Sequence, residues 1–130
     1  MSTLCFSQVF QTVPLLQNGS NDKRINIAVL GDGFATTDQN TFITAAQNSS
    51  AYFFNKSPYS EYKNYFNVYA VKVISAETGM KHPGTATDVT EPEFPVSNPD
   101  NYFGSTFDYQ DIHRCIYTDN ENKIAQVLAL

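Results

Sequence analysis

The stretch whose reading decides the fold is Ile25-Asn26-Ile27-Ala28-Val29-Leu30-Gly31-Asp32-Gly33-Phe34. Its first six residues form a short, nearly continuous apolar run that stops at an aspartate set between two glycines. Such a run reads as a strand buried on both faces, as in a parallel sheet. Downstream, Phe66 to Ile74 (FNVYAVKVI) is rich in β-branched and aromatic residues and reads as a second strand. Between them, Thr37 to Phe54 has helical spacing, with Phe42, Ala45, Ala46, Ser49 and Phe53 on one face. Thr36 or Thr37 stands where a cap is needed, and Asp38 suits the first turn of the helix dipole. Ser57-Pro58 reads as the start of a second, shorter helix, with Pro58 at its first position. A strand, a helical crossover and another strand make a parallel βαβ unit. The expected fold is therefore α/β, a mostly parallel sheet flanked by helices.

Outward from this unit, residues 5–16 supply a further strand, and Asn18-Gly19-Ser20-Asn21-Asp22 is a turn or linker by composition. The expected division is an N-terminal strand and linker over residues 1–22 and an α/β domain over residues 23–130. Ser75 to Asn101 is long and irregular and holds four of the six prolines. Loops of that length inside a domain are usually functional rims or inserts. Cys115 to Thr118 reads as one more short strand, and Asp119 or Asn120 as the cap of a last helix carrying Ile124, Val127 and Leu128. No Gly, Asn or Pro closes that helix before Leu130, which predicts that the natural domain continues.

The chain has 130 residues, a length that suits one domain. Hydrophobic residues make up 42 %, which supplies enough apolar surface for a core and excludes a disordered chain. The net charge is -5, and the eight Lys and Arg are scattered, so no basic face exists to engage phosphates and no nucleic-acid partner is expected. Lys23-Arg24 reads as the solvated lead-in to a strand. No apolar run reaches membrane-spanning length, so no membrane partner is expected. The first sixteen residues lack a basic start and a continuous apolar core, so no signal peptide is visible. Cys5 and Cys115 are far apart in sequence, and their pairing stays open. Two cysteines without a Cys-x-x-Cys spacing exclude a thiolate metal site. The triplets starting at Asn18, Asn48 and Asn55 match the glycosylation pattern, which arises often by chance in a chain rich in Asn and Ser.

The residues that could carry chemistry cluster after the two strands. Asp32 follows the first, at the edge where open α/β sheets place ligands; its alternative role is to accept backbone N–H groups of its own turn. Glu77 follows the second and could act as an acid, a base or a substrate contact, or stand as an exposed loop acid. Ser75 and Gly79 flank it and are candidates for shaping a substrate groove. His82 sits in the Pro/Gly loop and could face a cleft. His82 and His113 have no histidine one helical turn away, so no metal ligand set is expected within this chain. Asp108, Asp111, Asp119 and Glu121 read as turn and cap residues. Leu30-Gly31-Asp32-Gly33-Phe34 is also similar to the first block of GDSL-type esterases. There a nucleophilic serine follows the aspartate, and Gly33 occupies that place here.

Taken in order, several strings resemble the N-terminal half of the catalytic domain of the IgA-peptidase family of zinc metallopeptidases. They are Asn26 to Phe34, the helix carrying Phe42, Pro58-Tyr59 with Tyr62, and Phe66 to Val71. Ser75-Ala76-Glu77-Thr78-Gly79, His82-Pro83-Gly84, Phe103 to Phe107 and His113-Arg114 complete the series. The resemblance covers residues 23–130. It implies a zincin-like catalytic-domain fragment and, for the full-length family member, hydrolysis of a peptide bond by zinc-bound water. It also implies a protein or peptide substrate and a secreted, cell-surface or periplasmic location. The His-Glu-x-x-His helix of the family is absent from this sequence. The chain by itself is therefore expected to carry no zinc and no catalytic residue. Asp32, Glu77 and His82 are its cleft candidates, and Ser75 and Gly79 its candidate substrate contacts. The alternatives are a non-catalytic binding module on the same scaffold and an esterase-like relative without its serine. Exposed sheet edges make a homo-oligomer a further expectation.

Overall fold

The computed structural model describes residues 10–88, 96–112, 116–118 and 120–129. Three strands, β1 (Thr12–Leu16), β2 (Ile25–Leu30) and β3 (Phe66–Val71), form one sheet in the order β1-β3-β2. Among the described residues the α-helices are α1 (Gln39–Phe53) and α2 (Glu121–Leu128). The strand-helix-strand unit read from the sequence is present, since β2 and β3 pair in parallel from Ile25 opposite Phe66 to Leu30 opposite Val71.

The expectation of a mostly parallel, zincin-like sheet flanked by helices does not hold. β1 runs antiparallel to β3, with Thr12 opposite Val71, so the small sheet is mixed. The reason is the connection. Only residues 17–24 separate β1 from β2, whereas a parallel return needs a crossover of about a dozen residues or more. The chain therefore reverses direction and steps across the end of β3. Asn67 of β3, 0 % exposed, braces that step. Its Nδ2 donates to the Gly19 carbonyl at 2.9 Å and to Oδ1 of Asn21 and Asn26 at 3.1 and 3.0 Å. Its Oδ1 accepts the Asn18 N–H at 2.9 Å. A buried amide with these bonds made avoids the cost of an orphaned polar group.

Central β3 is buried on both faces, with Ala70 at 0 % exposure and Val68 at 1 %. On one face Phe42 and Ala46 of α1 pack with Ala70, joined by Leu15, Val29, Phe34 and Ile43. On the other, Val71 and Val73 pack with Phe10, Phe103 and Val127, joined by Leu30, Ile74, Tyr102 and Ile124. The buried stripe of α1 is Gln39, Phe42 and Ala46, at i, i+3 and i+7. Ala45 and Ser49, expected on that face, are exposed. Helix α1 begins after a tight turn at Thr36–Asp38, and Asp38, not a threonine, holds the N-cap position.

Three other elements differ from expectation. The short helix after Ser57 does not form. The Ser57-Pro58 peptide is cis, and residues 59–62 run as turns into a single helical turn at Lys63–Tyr65. So short a segment cannot repay helix nucleation, and its serines bond a side chain instead. Ser57 and Ser60 donate to Glu61 at 2.9 and 2.8 Å. The Ser60 bond, then the residue's own backbone N–H and Ser57, hold the Glu61 carboxyl below its ordinary range. β3 stops at Val71, where the Val73 N–H turns back to the Val71 carbonyl at 2.8 Å. Of the strand expected at Cys115–Thr118, Cys115 lies outside the described residues and Tyr117 makes one antiparallel bridge with Thr106. Asn120 precedes α2 but spends its amide on the Phe103 carbonyl at 2.6 Å and does not cap the helix. Asp119 lies outside the described residues.

If the α1 face anchors the sheet, Phe42→Ala should cost about 3–5 kcal/mol. Tyr52→Ala, on the exposed side of the same helix, should shift stability by less than about 0.5 kcal/mol. Urea denaturation of both variants measures the difference.

Candidate functional site

β2 and β3 end at the same sheet edge, and the segments that leave the two strands are tied to each other. After β2 the chain turns through Gly31-Asp32-Gly33, with Gly33 at φ +74°. After β3 it passes Ser75, whose N–H bonds the Phe34 carbonyl at 3.0 Å, and Gly79, whose N–H bonds the Gly33 carbonyl at 2.9 Å. The two segments press together so closely that a Cβ on Gly33 would stand 2.3 Å from the Gly79 carbonyl oxygen. Positive φ and this contact both require glycine. They also exclude the serine that an esterase would carry at this position, because no side chain fits on this backbone.

Asp32 is the hub of the edge. Its Oδ1 accepts the N–H groups of Gly33 and Phe103, each at 3.0 Å, and its Oδ2 accepts the N–H of Ser105 at 3.0 Å. The Ser75 hydroxyl donates to Oδ1 at 3.4 Å, and its oxygen accepts the N–H groups of Gly33 and Tyr102, each at 3.0 Å. Residues 102–105 are thereby fastened to the strand ends, 71 residues beyond Asp32 in the case of Phe103. Charge-assisted bonds of this kind are about twice as strong as neutral ones. A carboxylate and a hydroxyl used in this way are positioning groups.

Glu77 does the same at the rim. Its N–H bonds the Asp100 carbonyl at 3.0 Å, and its Oε2 accepts the Asp100 N–H at 2.7 Å. Thr78 bonds the Asp38 carboxylate before α1. His82 is placed elsewhere. It is 2 % exposed, its backbone pairs with Ser97, and its Nε2 lies 3.6 Å from Oδ2 of Asp108. Asp108 has φ +57° and sits in the turn leading to Tyr109.

Beside the hub lies an open depression of about 610 Å³. It is lined by residues of the turn before α1 (Ala35, Thr36, Thr37), of the segment after β3 (Ile74, Ser75, Ala76), of the loop at 100–102 (Asp100, Asn101, Tyr102) and by Lys123 of α2. Of the five residues singled out in the sequence, Ser75 lines this depression. Asp32 and Glu77 bond the lining residues Ser75 and Asp100, Gly79 is tied to Gly33 outside the lining, and His82 is buried beside Asp108. The sequence reading missed Thr36 and Thr37 as wall residues, having assigned them to a helix cap. It also missed Lys123, whose Nζ bonds the Tyr102 carbonyl at 2.8 Å and lies 5.0 Å above the Tyr102 ring. A lysine on the polar side of a terminal helix carries no signal of that role. The depression offers hydroxyls, one ammonium and one carboxylate, a set that can hold a peptide by hydrogen bonds.

Catalytic zinc needs three protein ligands and an open position. Among the described residues no three or more His, Cys, Asp or Glu side chains converge to hold a metal ion. The described residues therefore do not by themselves make up a zinc centre. His113 and Cys115 lie outside the described residues. Also among the described residues, no helix is long and apolar enough to cross a membrane.

Replacing Asp32 by Asn sets an NH2 group against a backbone N–H and should cost about 2–3 kcal/mol in urea denaturation. Gly33→Ala should cost roughly 3 kcal/mol or more, since it adds a backbone clash to strained φ. A change below about 0.5 kcal/mol in either variant would contradict the geometry.

No curated protein matches the chain. The family model of IgA Peptidase M64 matches residues 13–129, from the second residue of β1 to the residue after α2. The chain belongs to the IgA peptidase M64 family.

Proposed function

We propose that this chain is scaffold and substrate-groove structure for a secreted, zinc-dependent peptidase, and that it does not hydrolyse peptides by itself. The observation that carries the reading is the family match over residues 13–129. A peptidase family acts on protein or peptide substrates, and the depression beside Ser75 supports a peptide-holding role. It opens at the C-terminal edge of the parallel pair, where α/β sheets present ligands. Its walls are fixed by charge-assisted bonds from Asp32 and Glu77 to backbone N–H groups. That fixation is what a groove needs, because a peptide loses less binding energy to a site already ordered.

The zinc chemistry of such an enzyme consists of activating a water and polarising the scissile carbonyl. This sequence has no His-Glu-x-x-His to supply it. The part assigned to this chain is to bind and orient. Thr36, Thr37 and Lys123 offer donors to substrate carbonyls, and Asp100 offers an acceptor to substrate N–H groups. Ser75 and Tyr102 complete the lining.

The test is an incubation of the purified chain with a pool of quenched fluorescent peptides, with and without added zinc. No turnover above buffer is expected in either case. Turnover that zinc raises and a chelator abolishes would overturn the assignment.

A further inference from the structure

Residues 55–65, NKSPYSEYKNY, are exposed at every position. They follow α1 and lead into β3, at the end of the sheet opposite the Asp32 hub. The segment holds its shape by bonds of its own. Ser57 and Ser60 donate to the Glu61 carboxylate. The N–H groups of Ser60 and Glu61 bond the Lys56 and Pro58 carbonyls at 3.0 and 3.2 Å. The Tyr59 ring stacks on Phe53 of α1, with ring centroids 4.1 Å apart. Two hollows of about 640 Å³ each meet at Tyr59. Tyr52 and Lys56 help to line one, and Tyr62, Tyr65, Lys23 and Arg24 the other. The four tyrosines are 42 to 68 % exposed.

This face is not built as part of a core. A face that a protein's own core covers is mostly aliphatic. Here phenols and charges alternate along the segment, and each is costly to bury without a partner. α2 and its packing partners lie against the other side of the sheet. The composition is that of a recognition loop. Tyrosine supplies a large rigid contact area at low entropic cost, and serine and asparagine supply adaptable hydrogen bonds. A loop already ordered also loses less on binding. Charge selects the partner. Lys23, Arg24 and Lys56 line the hollows against the one carboxylate of Asp22, in a chain whose net charge is -5. Among the described residues these three cations enter no ion pair, and the Glu61 carboxylate nearby is taken up by its two serines.

We propose that this face is a second polypeptide-binding site, apart from the depression beside Ser75, and that it takes an acidic segment of a partner protein. The tyrosine rings receive the apolar side chains of that segment, and its carboxylates meet Lys23, Arg24 and Lys56. Complementary charge of this kind sets specificity and the rate of encounter. The inference does not depend on the catalytic reading.

The experiment is an amide chemical-shift titration of the 130-residue chain with a capped eight-residue peptide of four glutamates and four leucines. Saturable shifts at residues 23–25, 52 and 59–65 are expected, with a Kd below about 1 mM. Raising the salt from ~50 to ~500 mM should weaken binding at least about threefold. Tyr62→Ala and Lys56→Glu should each weaken it at least about fivefold, with an unchanged circular dichroism spectrum. A peptide with lysine in place of glutamate should leave these amides unmoved. No shift at ~1 mM glutamate peptide overturns the proposal, as does equal response to the lysine peptide or undiminished binding by Tyr62→Ala. Shifts confined to residues 36–37 and 74–76 place the peptide in the depression beside Ser75 and overturn the second site while leaving the groove reading intact. Shifts at this face from polygalacturonate or phosphatidylglycerol vesicles, with none from the peptide, overturn the polypeptide assignment.

Discussion

The carboxylate of Asp32 is the interaction on which the rest of the edge depends. It lies where β2 ends, and it reaches the N–H groups of Phe103 and Ser105 far along the chain. Among the described residues between β3 and residue 102 only isolated bridges form, so bonds from side chains do much of the work of fixing its far end. Two oxygens with several acceptor sites can satisfy three N–H groups at once, and the Ser75 hydroxyl fills the remaining direction. Once residues 102–105 are fastened, Phe103 is delivered into the core beside Val71 and Val73, and Val127 of α2 packs against it. Polar fixation and apolar packing are thus coupled. The bonds choose the register of the loop, and the burial of Phe103 stabilises it.

The same arrangement accounts for the glycines. A loop strapped this tightly to a strand end leaves no room for a Cβ at Gly33, and the close approach to Gly79 is a consequence of the strap. Packing and strain are therefore properties of the site walls, and the depression beside Ser75 is the space left between them. The residues that face it are drawn from four separate places: the turn before α1, the segment after β3, the loop at 100–102 and α2. A groove assembled this way is stiff because each wall is anchored elsewhere, which suits positioning more than chemistry.

How much of this was legible in the sequence varies by element, and for physical reasons. β2, α1 and β3 were legible because each carries an apolar period of its own, and their parallel pairing comes from the helical crossover. The strand direction of β1 was not, because the apolar pattern of a strand is the same in both directions. Only the length of the 17–24 connection decides it. The family was legible from short strings in a fixed order, none of which is distinctive alone. Asp32 was singled out by its two glycines, yet its partners were invisible because backbone N–H groups have no sequence signature. His82 shows the opposite case. Its residue type suggested a cleft, but its burial against Asp108 was set by the fold of the loop around Lys81, Ser97 and Phe107. Thr36, Thr37 and Lys123 had no pattern that could mark them as walls.

The central claim is that the Asp32 hub, a cluster of side-chain bonds outside regular structure, holds the loop to the sheet as firmly as a strand would. Native-state hydrogen exchange of the Phe103 and Ser105 amides tests it most directly. The account predicts protection comparable to that of the β3 amides at Val68 and Ala70, because both would open only on global unfolding. Exchange at Phe103 and Ser105 as fast as at the exposed loop amides, with β3 still protected, would contradict it.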